Sequence, residues 1–346
     1  MTSFSARLIQ WQKEFGRHHL PWQQTREAYC IWLSEVMLQQ TQVATVIPYY
    51  NRFLERFPNV GSLASATEEE VLGYWSGLGY YSRARNLHKA AQKVVSLYAG
   101  KFPADVNLLA ELPGVGRSTA AAIAAFAYGV NAAILDGNVK RLLARHAAID
   151  GYPGAVDVQK KLWLEAEARL PGQGIESYTQ GLMDLGNLVC LRKNPLCLNC
   201  PLASDCKAHQ SGRENELPSP KPKKSIPERH CQMFILLDSG HVFLQTRSGP
   251  GVWQGLWSLP EVDTDIIPSE FISGLGIQAE LKAELAPLRH VFSHYRLIIQ
   301  SSVWQISNIN SAHEGVGQWV DLKQLENAPL PTPVRRLLER ASTLVV

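Results

Sequence analysis

The chain has 346 residues, of which 45% are hydrophobic and 19% charged, and its 34 basic and 31 acidic side chains give a net charge of +3. This composition is typical of a globular protein of about two or three domains and excludes wholesale disorder. No apolar run reaches the roughly 18 residues of a membrane span. The start of the chain also lacks the continuous apolar stretch of a secretory signal, which predicts a cytoplasmic protein.

The N-terminal part of the chain has the apolar spacing of helices. Apolar residues recur every three or four positions in residues 28–40 and 44–57. Thr67 and Glu70 occupy the positions of a capping box, which predicts a helix over about 68–75. Further helices are predicted at 81–99, 116–128, 138–147, 157–169 and 175–190.

A change in composition separates this helical part from the rest. Residues 211–230 contain four prolines, several charges and few apolar residues, so we interpret them as a linker. Beyond them, two apolar runs on either side of Asp238-Ser239-Gly240 predict a β-hairpin. Further strands near 291–305 and a terminal helix at 331–342 indicate that the second part is mixed α/β.

Four of the six cysteines lie within 17 residues and predict a metal site rather than a disulfide framework. They are Cys190, Cys197, Cys200 and Cys206. Structural zinc sites usually take two pairs of ligands, each pair two to four residues apart, and only one such pair is present here. A [4Fe–4S] cluster also takes four thiolates and fits the wider loop, and zinc is the alternative.

Two glycine-rich turns are candidates for contacts with a phosphate backbone. Gly114 and Gly116 precede a predicted helix, where a tight turn can direct backbone amides at an anion. A second Gly-x-Gly at 77–79 precedes Tyr80 and a run of tyrosines and arginines, which suits base stacking and phosphate contact. An ordinary connecting turn and core packing are the alternative interpretations of these segments.

Two carboxylates are candidates for a catalytic pair. Glu35 lies within a predicted helix among apolar neighbours, where burial would raise its pKa and keep it protonated. Asp136 precedes the helix predicted from residue 138, whose N-terminus would keep it ionised, and a purely structural helix cap is the alternative. One neutral and one ionised carboxyl group suit hydrolysis through an oxocarbenium-like state. The spacing alone does not show that the two residues meet.

Four motifs occur in one order: SEVMLQQTQ, LPGVGRSTA, LDGNVKR and the four-cysteine loop. Together they resemble helix-hairpin-helix DNA glycosylases with an iron–sulfur cluster and, among these, the adenine DNA glycosylase (MutY) family. The resemblance covers essentially the whole chain and implies a multi-domain fold. We expect an all-α helix-hairpin-helix glycosylase domain at 1–210 and an α/β Nudix-like lesion-recognition domain at 231–346. The first domain would comprise a six-helix part at about 25–130 and a cluster part formed by 1–24 with 131–210.

Departures from related families refine the expected activity. Ser118 occupies the position of the catalytic lysine of endonuclease III, so we expect a monofunctional glycosylase without strong lyase activity. The segment 255–261 resembles the strand that enters a Nudix motif, but the acidic metal helix that should follow is missing. We therefore expect a lesion reader there. A bifunctional glycosylase/lyase, a non-catalytic damage sensor and a DNA-tethered Nudix hydrolase are the alternatives.

The resemblance implies hydrolysis of the N-glycosidic bond of adenine opposite 8-oxoguanine or guanine, after the base has left the helix. Glu35 would protonate adenine, and Asp136 would stabilise the positive charge on the sugar. One [4Fe–4S] cluster, double-stranded DNA as the partner and a monomeric, nucleoid-associated protein are also implied. The remaining candidates are two polar neighbours of the catalytic pair and a set of DNA or base contacts: Ser118 and Asn138, then Gln40, Thr41, Tyr80, Gly114, Gly116, Gln180, Phe292, Ser293 and His294.

Overall fold

The structure, a computed structural model, describes residues 3–222, 225–249, 251–309 and 317–343. Lys223 and Lys224 of the predicted linker lie outside the described residues. The chain divides into two compact units, residues 1–65 with 86–223 and residues 66–85 with 224–346. None of the described helices is both long and apolar enough to cross a lipid bilayer.

Helices account for the regular structure of the chain before residue 211. Their bounds are α1 Phe4–Phe15, α2 Ala28–Leu38, α3 Val43–Arg56, α4 Val60–Ser65, α5 Glu68–Trp75, α6 Ser82–Tyr98, α7 Val106–Ala110, α8 Arg117–Tyr128, α9 Gly137–His146, α10 Val156–Ala168, α11 Ile175–Leu188 and α12 Lys207–Gln210. The eight helices predicted from apolar spacing and capping are confirmed, with ends within two residues of the prediction. Helices α1, α4, α7 and α12 were not predicted individually.

The first unit packs its helices around a core of small and aliphatic side chains. Helix α8 buries the run Ala120–Ala125, and these short side chains allow its neighbours to approach closely. Leu8, Leu142 and Leu185 come from α1, α9 and α11 and lie in the same core cluster. This packing brings the N-terminal ends of α8 and α9 against the side of α11, where the candidate site lies.

A tight turn joins α7 to α8. Gly114 in this turn has φ +78°, a region that residues with a side chain rarely adopt. A Cβ added to Gly114 would also lie 2.9 Å from Cβ of Asn86. Both the backbone conformation and the close approach therefore require glycine at this position.

The second unit contains a seven-stranded sheet in the order β3-β2-β1-β6-β5, with β4 paired to β1 and β7 paired to β2. The strands are β1 Glu228–Asp238, β2 His241–Thr246, β3 Trp257–Ser258, β4 Glu261–Val262, β5 Ile277–Val291, β6 Arg296–Ile309 and β7 Gln318–Asp321. Strands β1 and β6 are parallel, and the other pairs are antiparallel. Helices α13 Pro268–Gly274 and α14 Thr332–Ser342 also belong to this unit. The predicted hairpin and terminal helix are confirmed.

The strands predicted near 291–305 correspond to β6, which begins at Arg296 and ends at Ile309, and to the end of β5 at Val291. The chain turns at 292–295, between the end of β5 and the start of β6, and the Phe292 N–H donates to the Tyr295 carbonyl at 2.9 Å. Strand β5 was missed because most of its residues are partly or fully exposed, so no apolar run marks it.

Two findings concern the predicted division of the chain into domains. Residues 66–85, which contain α5, belong to the second unit. The first part of the predicted linker packs on the first unit, because Leu217 is buried there and its carbonyl accepts a hydrogen bond from Arg145 Nε at 2.8 Å. The boundaries 1–210, 211–230 and 231–346 remain a prediction.

Candidate active site

A cavity of about 1280 Å³ opens into the first unit. Its walls are formed by α2, the N-terminal ends of α8 and α9, and α11, and it is large enough for a nucleotide-sized ligand. Seven of the sequence-predicted residues line it: Glu35, Gln40, Thr41, Ser118, Asp136, Asn138 and Gln180. The cavity therefore unites both candidate carboxylates with most of their predicted polar neighbours.

Glu35 lies on α2, a helix in which seven of the eleven residues are buried. Burial is the main cause that raises the pKa of Glu35 to about 8, and the negative charge of Asp136 adds to it. Glu35 is therefore protonated at neutral pH. The electrostatic effect of Asp136 on Glu35 also shows that the two carboxylates are neighbours.

Asp136 is the N-cap of α9, and its Oδ1 accepts a hydrogen bond from the Val139 N–H at 2.7 Å. Burial raises its pKa, whereas the N–H groups of Val139 and Asn138 and the charges of Arg141 and Lys140 act in the opposite direction. The helix-cap interpretation is correct as far as it goes. Capping and catalysis are compatible, because the cap holds the carboxylate at the cavity wall.

The polar residues beside Asp136 hold its backbone in place. Ser118, near the start of α8, accepts a hydrogen bond on Oγ from the Leu135 N–H at 2.9 Å. Asn138 accepts one on Oδ1 from Arg141 Nη2 at 3.0 Å. The segment that carries Asp136 is therefore tied to α8 on one side and to the body of α9 on the other.

Helix α9 also connects the cavity to the cysteine loop. Arg141 donates from Nε to the Cys190 carbonyl at 2.8 Å and from Nη2 to the Gly186 carbonyl at 2.5 Å. Arg145, one helical turn further on and buried, donates from Nη1 to Cys190 Sγ at 3.3 Å and to the Leu191 carbonyl at 2.6 Å. The two arginines thus fix the loop after α11 relative to Asp136.

The four predicted cysteine ligands line one small cavity next to Arg145. All four are free thiols. Burial is the main cause that raises the pKa of Cys200 to about 12, and the negative charges of the other three thiols contribute. Thiols that oppose one another's ionisation in this way suit a multivalent cation, since metal binding favours the thiolate.

A second ligand set overlaps with this cluster. Cys197, His209 and Glu214 present ligand atoms that lie within 4.8 Å of one another. No sequence motif singled out His209 or Glu214 as ligands. The donor atoms fit a metal centre, and both an iron–sulfur cluster and zinc are compatible with them.

The turn between α7 and α8 lies at the surface of the first unit. Gly116 is the N-cap of α8 and supplies no side-chain hydrogen bond, and both Gly114 and Gly116 are exposed. The first N–H groups of α8 therefore receive no side-chain cap from Gly116 and follow an exposed turn, which suits an anion site. Neither glycine lines the large cavity.

Tyr80 belongs to the second unit, with half of its surface exposed and φ at +50°. The guanidinium of Arg83 lies 5.5 Å from the centre of its ring and 5.3 Å from that of Trp75. Arg83 also donates from Nη2 to the carbonyls of Leu78 and Gly79, at 3.3 and 3.2 Å. The Gly-x-Gly turn therefore presents Tyr80 at the surface instead of burying it.

Phe292, Ser293 and His294 form the turn between β5 and β6. Phe292 packs against Trp253 and Tyr295, with ring centres 5.1 and 4.6 Å apart. Ser293 and His294 are exposed, and their side chains lie 3.4 Å apart. A cluster of aromatic side chains thus supports two exposed polar groups in the second unit.

Several residues that shape the site were missed by sequence reasoning. Arg141, Arg145 and Asp184 are charged residues on the inner faces of α9 and α11, and Asp184 is fully buried. A charge at a core-facing position of an amphipathic helix was the signal that could have identified them.

Comparison with known proteins gives two family matches and full-length relatives. A family described as HhH-GPD superfamily base excision DNA repair protein matches residues 33–167, and the NUDIX domain family matches residues 232–340. The adenine DNA glycosylase of Buchnera aphidicola subsp. Schizaphis graminum is 36% identical over 97% of this chain and 98% of its own. That of Mus musculus is 33% identical over 97% of this chain and 77% of its own.

Solved structures match the helical part. A thermostable thymine-DNA glycosylase superposes with a TM-score of 0.55 at 28% identity, over 60% of this chain and 95% of its own. A non-covalent endonuclease III–DNA complex gives 0.52 at 22% identity, over 60% and 94%, and shows a shared fold. Together with the family matches, these findings confirm the predicted fold class of a helix-hairpin-helix domain followed by a Nudix-like domain.

Proposed function

The chain belongs to the adenine DNA glycosylase family, and we propose that it removes adenine opposite 8-oxoguanine, or opposite guanine, from double-stranded DNA. The reaction is hydrolysis of the N-glycosidic bond in base-excision repair, after the adenine has flipped into the cavity. One observation carries the proposal: Glu35, with its pKa raised to about 8, lies beside Asp136 at the wall of one cavity.

Glu35 acts as the general acid. A carboxyl group that stays protonated at neutral pH can transfer its proton to N7 of adenine, which makes the base a better leaving group. Glu35 has lost most of its contact with bulk water. Its ionised form is therefore poorly solvated, and the group keeps its proton until the base takes it.

Asp136 stabilises the positive charge that develops on the sugar as the bond breaks. Its carboxylate is fixed as the cap of α9, so little reorganisation is needed during the reaction. Ser118 and Asn138 act by holding the segment that carries Asp136. Ser118 stands where a lyase would carry its amine nucleophile, so the abasic product is released without strand cleavage.

The turn between α7 and α8 and two further segments hold the duplex. The exposed amides at Gly114 and Gly116 suit a phosphate group. Gln40 and Thr41 lie at the cavity wall and suit contacts with the bases left unpaired by flipping, whereas Tyr80 suits stacking beside the 8-oxoguanine.

Cys190, Cys197, Cys200 and Cys206 hold one [4Fe–4S] cluster in this proposal. The cluster supplies electrostatic and structural support by binding four thiolates in a single loop. Arg141 and Arg145 tie the loop to α9 and so help to position Asp136. No step of base release takes place at the cluster.

The turn at 292–294 reads the lesion. 8-Oxoguanine has an N–H donor at N7, where guanine has only an acceptor. The Ser293 hydroxyl and a ring nitrogen of His294 can both accept from such a donor. Both side chains are exposed beside the ring of Phe292, which makes them accessible to a duplex.

End-labelled duplexes under single-turnover conditions test the proposal. The set contains adenine opposite 8-oxoguanine, adenine opposite thymine, and an oxidised pyrimidine, each read with and without hot alkali. We expect breaks only at adenine opposite 8-oxoguanine, and only after alkali.

Other outcomes identify the competing functions. Breaks at the oxidised pyrimidine without alkali would establish a glycosylase/lyase. Tight binding to adenine opposite 8-oxoguanine without any base release would indicate a damage sensor. Either result would refute the proposal.

A further inference from the structure

Asp184 is a fully buried carboxylate in α11 that the proposed mechanism leaves without a role. Its Oδ2 accepts a hydrogen bond from the Arg17 backbone N–H at 2.8 Å, and its Oδ1 accepts one from Arg17 Nε at 2.7 Å. Arg17 Nη2 also lies 2.7 Å from Oδ1. A buried carboxylate with a close cationic partner on a different segment is held firmly in one orientation.

Gln180 lies one turn before Asp184 on the same helix and faces the large cavity. Its Nε2 donates to Asp184 Oδ1 at 2.9 Å. Within the described residues, Gln180 Oε1 has no hydrogen-bond partner. The amide nitrogen is therefore committed to the protein, and the amide oxygen remains for a ligand in the cavity.

The orientation of a glutamine amide depends on its partners, because its oxygen and nitrogen ends have nearly the same shape. An ionised carboxylate can only accept hydrogen bonds. While Asp184 is paired with Arg17, it forces Gln180 to turn its NH₂ group inward. A neutral partner at position 184 would allow either orientation of the amide.

Building on the proposed function, we propose that Asp184 is a positioning residue for base specificity: paired with Arg17, it fixes the Gln180 amide so that its carbonyl oxygen accepts from the exocyclic amino group of the flipped adenine. A 6-oxopurine has a carbonyl oxygen at that position. This oxygen and the Gln180 oxygen are both acceptors, so they would repel each other. The Asp184–Arg17 pair thus keeps the Gln180 oxygen as a hydrogen-bond acceptor at the cavity wall. This acceptor selects a purine with an amino group.

The test compares adenine with unsubstituted purine, each opposite 8-oxoguanine in the same duplex. Purine retains N7 for protonation but lacks the amino group that Gln180 would read. For each protein, single-turnover rates of base release give the ratio of variant to wild type on each substrate. We expect Asp184→Asn to lower the rate on adenine about tenfold more than the rate on purine. A merely structural role would lower both rates by the same factor.

A swapped pair provides the rescue. In Asp184→Asn/Gln180→Glu, residue 180 presents an acceptor in either orientation, so the relative rate on adenine should recover. Arg17→Gln removes the ionic partner that keeps Asp184 charged and in place, so it should also lower the rate on adenine more than the rate on purine. Thermal unfolding of each variant reports whether the fold survives.

Two results would overturn the inference. One is an unchanged adenine-to-purine ratio in folded Asp184→Asn, and the other is a swapped pair that does not restore this ratio. Failure of the proposed function has a different signature, since the wild-type protein itself would then release no adenine opposite 8-oxoguanine.

Discussion

Asn138 and Gly186 show how closely the walls of the cavity are packed at the scale of single residues. A Cβ added to Gly186 on α11 would lie 2.6 Å from Cβ of Asn138, next to the Asp136 cap of α9. Real Cβ contacts are essentially never so short. The absence of a side chain at position 186 therefore lets α11 approach the residues that hold Asp136.

We expect Gly186→Ala to displace the start of α9, slow base release by more than tenfold and destabilise the fold by about 1–3 kcal/mol, as overpacking does. Single-turnover rates and thermal unfolding measure the two effects. Gly172→Ala is the matched control, because an added Cβ there meets nothing within 4 Å. Wild-type rates for Gly186→Ala would show that Asn138 adjusts without moving Asp136.

Sequence reasoning succeeded where a residue's own neighbours in the chain set its chemistry. Glu35 was predicted to be a raised-pKa acid because its helical neighbours are apolar, and burial is the main cause of its pKa of about 8. The ion pair of Asp184 could not be predicted in this way. Its partner Arg17 is 167 positions away, and only the fold brings the two together.

At the scale of elements, the turn that carries Tyr80 is held by the segment before α14. The Tyr81 hydroxyl accepts from the Gly77 N–H at 3.3 Å and donates to the Leu330 carbonyl at 3.2 Å. Ser76 Oγ donates to the same carbonyl at 3.1 Å. All of these residues belong to the second unit, so the presentation of Tyr80 depends on that unit.

Tyr81→Phe removes these hydrogen bonds to Gly77 and Leu330 and should loosen the turn by about 1 kcal/mol. We expect roughly fivefold weaker binding to a duplex with 8-oxoguanine opposite a non-hydrolysable adenine analogue. Tyr128→Phe is the control, since its hydroxyl bonds the Phe102 carbonyl at 2.7 Å in the first unit. Equal affinities for the two variants would mean that Tyr80 does not need this support.

The helices were predictable because an amphipathic face repeats every three to four residues. The Thr67 cap of α5 was also correct, as its Oγ1 accepts from the Glu70 N–H. Strand β5 carries mostly exposed residues and gave no comparable signal. Short helices such as α7 contain too few residues for a periodic pattern.

At the scale of the whole molecule, α5 and the following turn lie in the second compact unit although they precede most of the first unit in the chain. The hydrogen bonds that place them there join positions about 250 residues apart, such as Tyr81 and Leu330. Proline content and charge are local properties, so composition could predict a linker at 211–230. The assignment of residues 66–85 required the fold.

The double change Ser293→Ala/His294→Ala should reduce the preference for 8-oxoguanine over guanine opposite adenine by roughly tenfold, because two acceptors are lost. The ratio of single-turnover rates on the two duplexes measures this preference. Ser239→Ala/His241→Ala is the matched control, as it removes another exposed serine and histidine from a turn of the same unit. An unchanged preference in the first variant would place lesion recognition elsewhere.

The central claim, that Glu35 is the acid of an adenine glycosylase, is tested most directly by the pH dependence of single-turnover adenine release. The acid must be protonated and its pKa is raised to about 8, so the rate should hold through neutrality and fall as the pH rises through that value. Glu35→Gln should bind the same duplex without releasing adenine. Glu27→Gln, at the exposed N-cap of the same helix, should keep the wild-type profile. A wild-type rate that rises through pH 8, or adenine release by Glu35→Gln, would contradict the account.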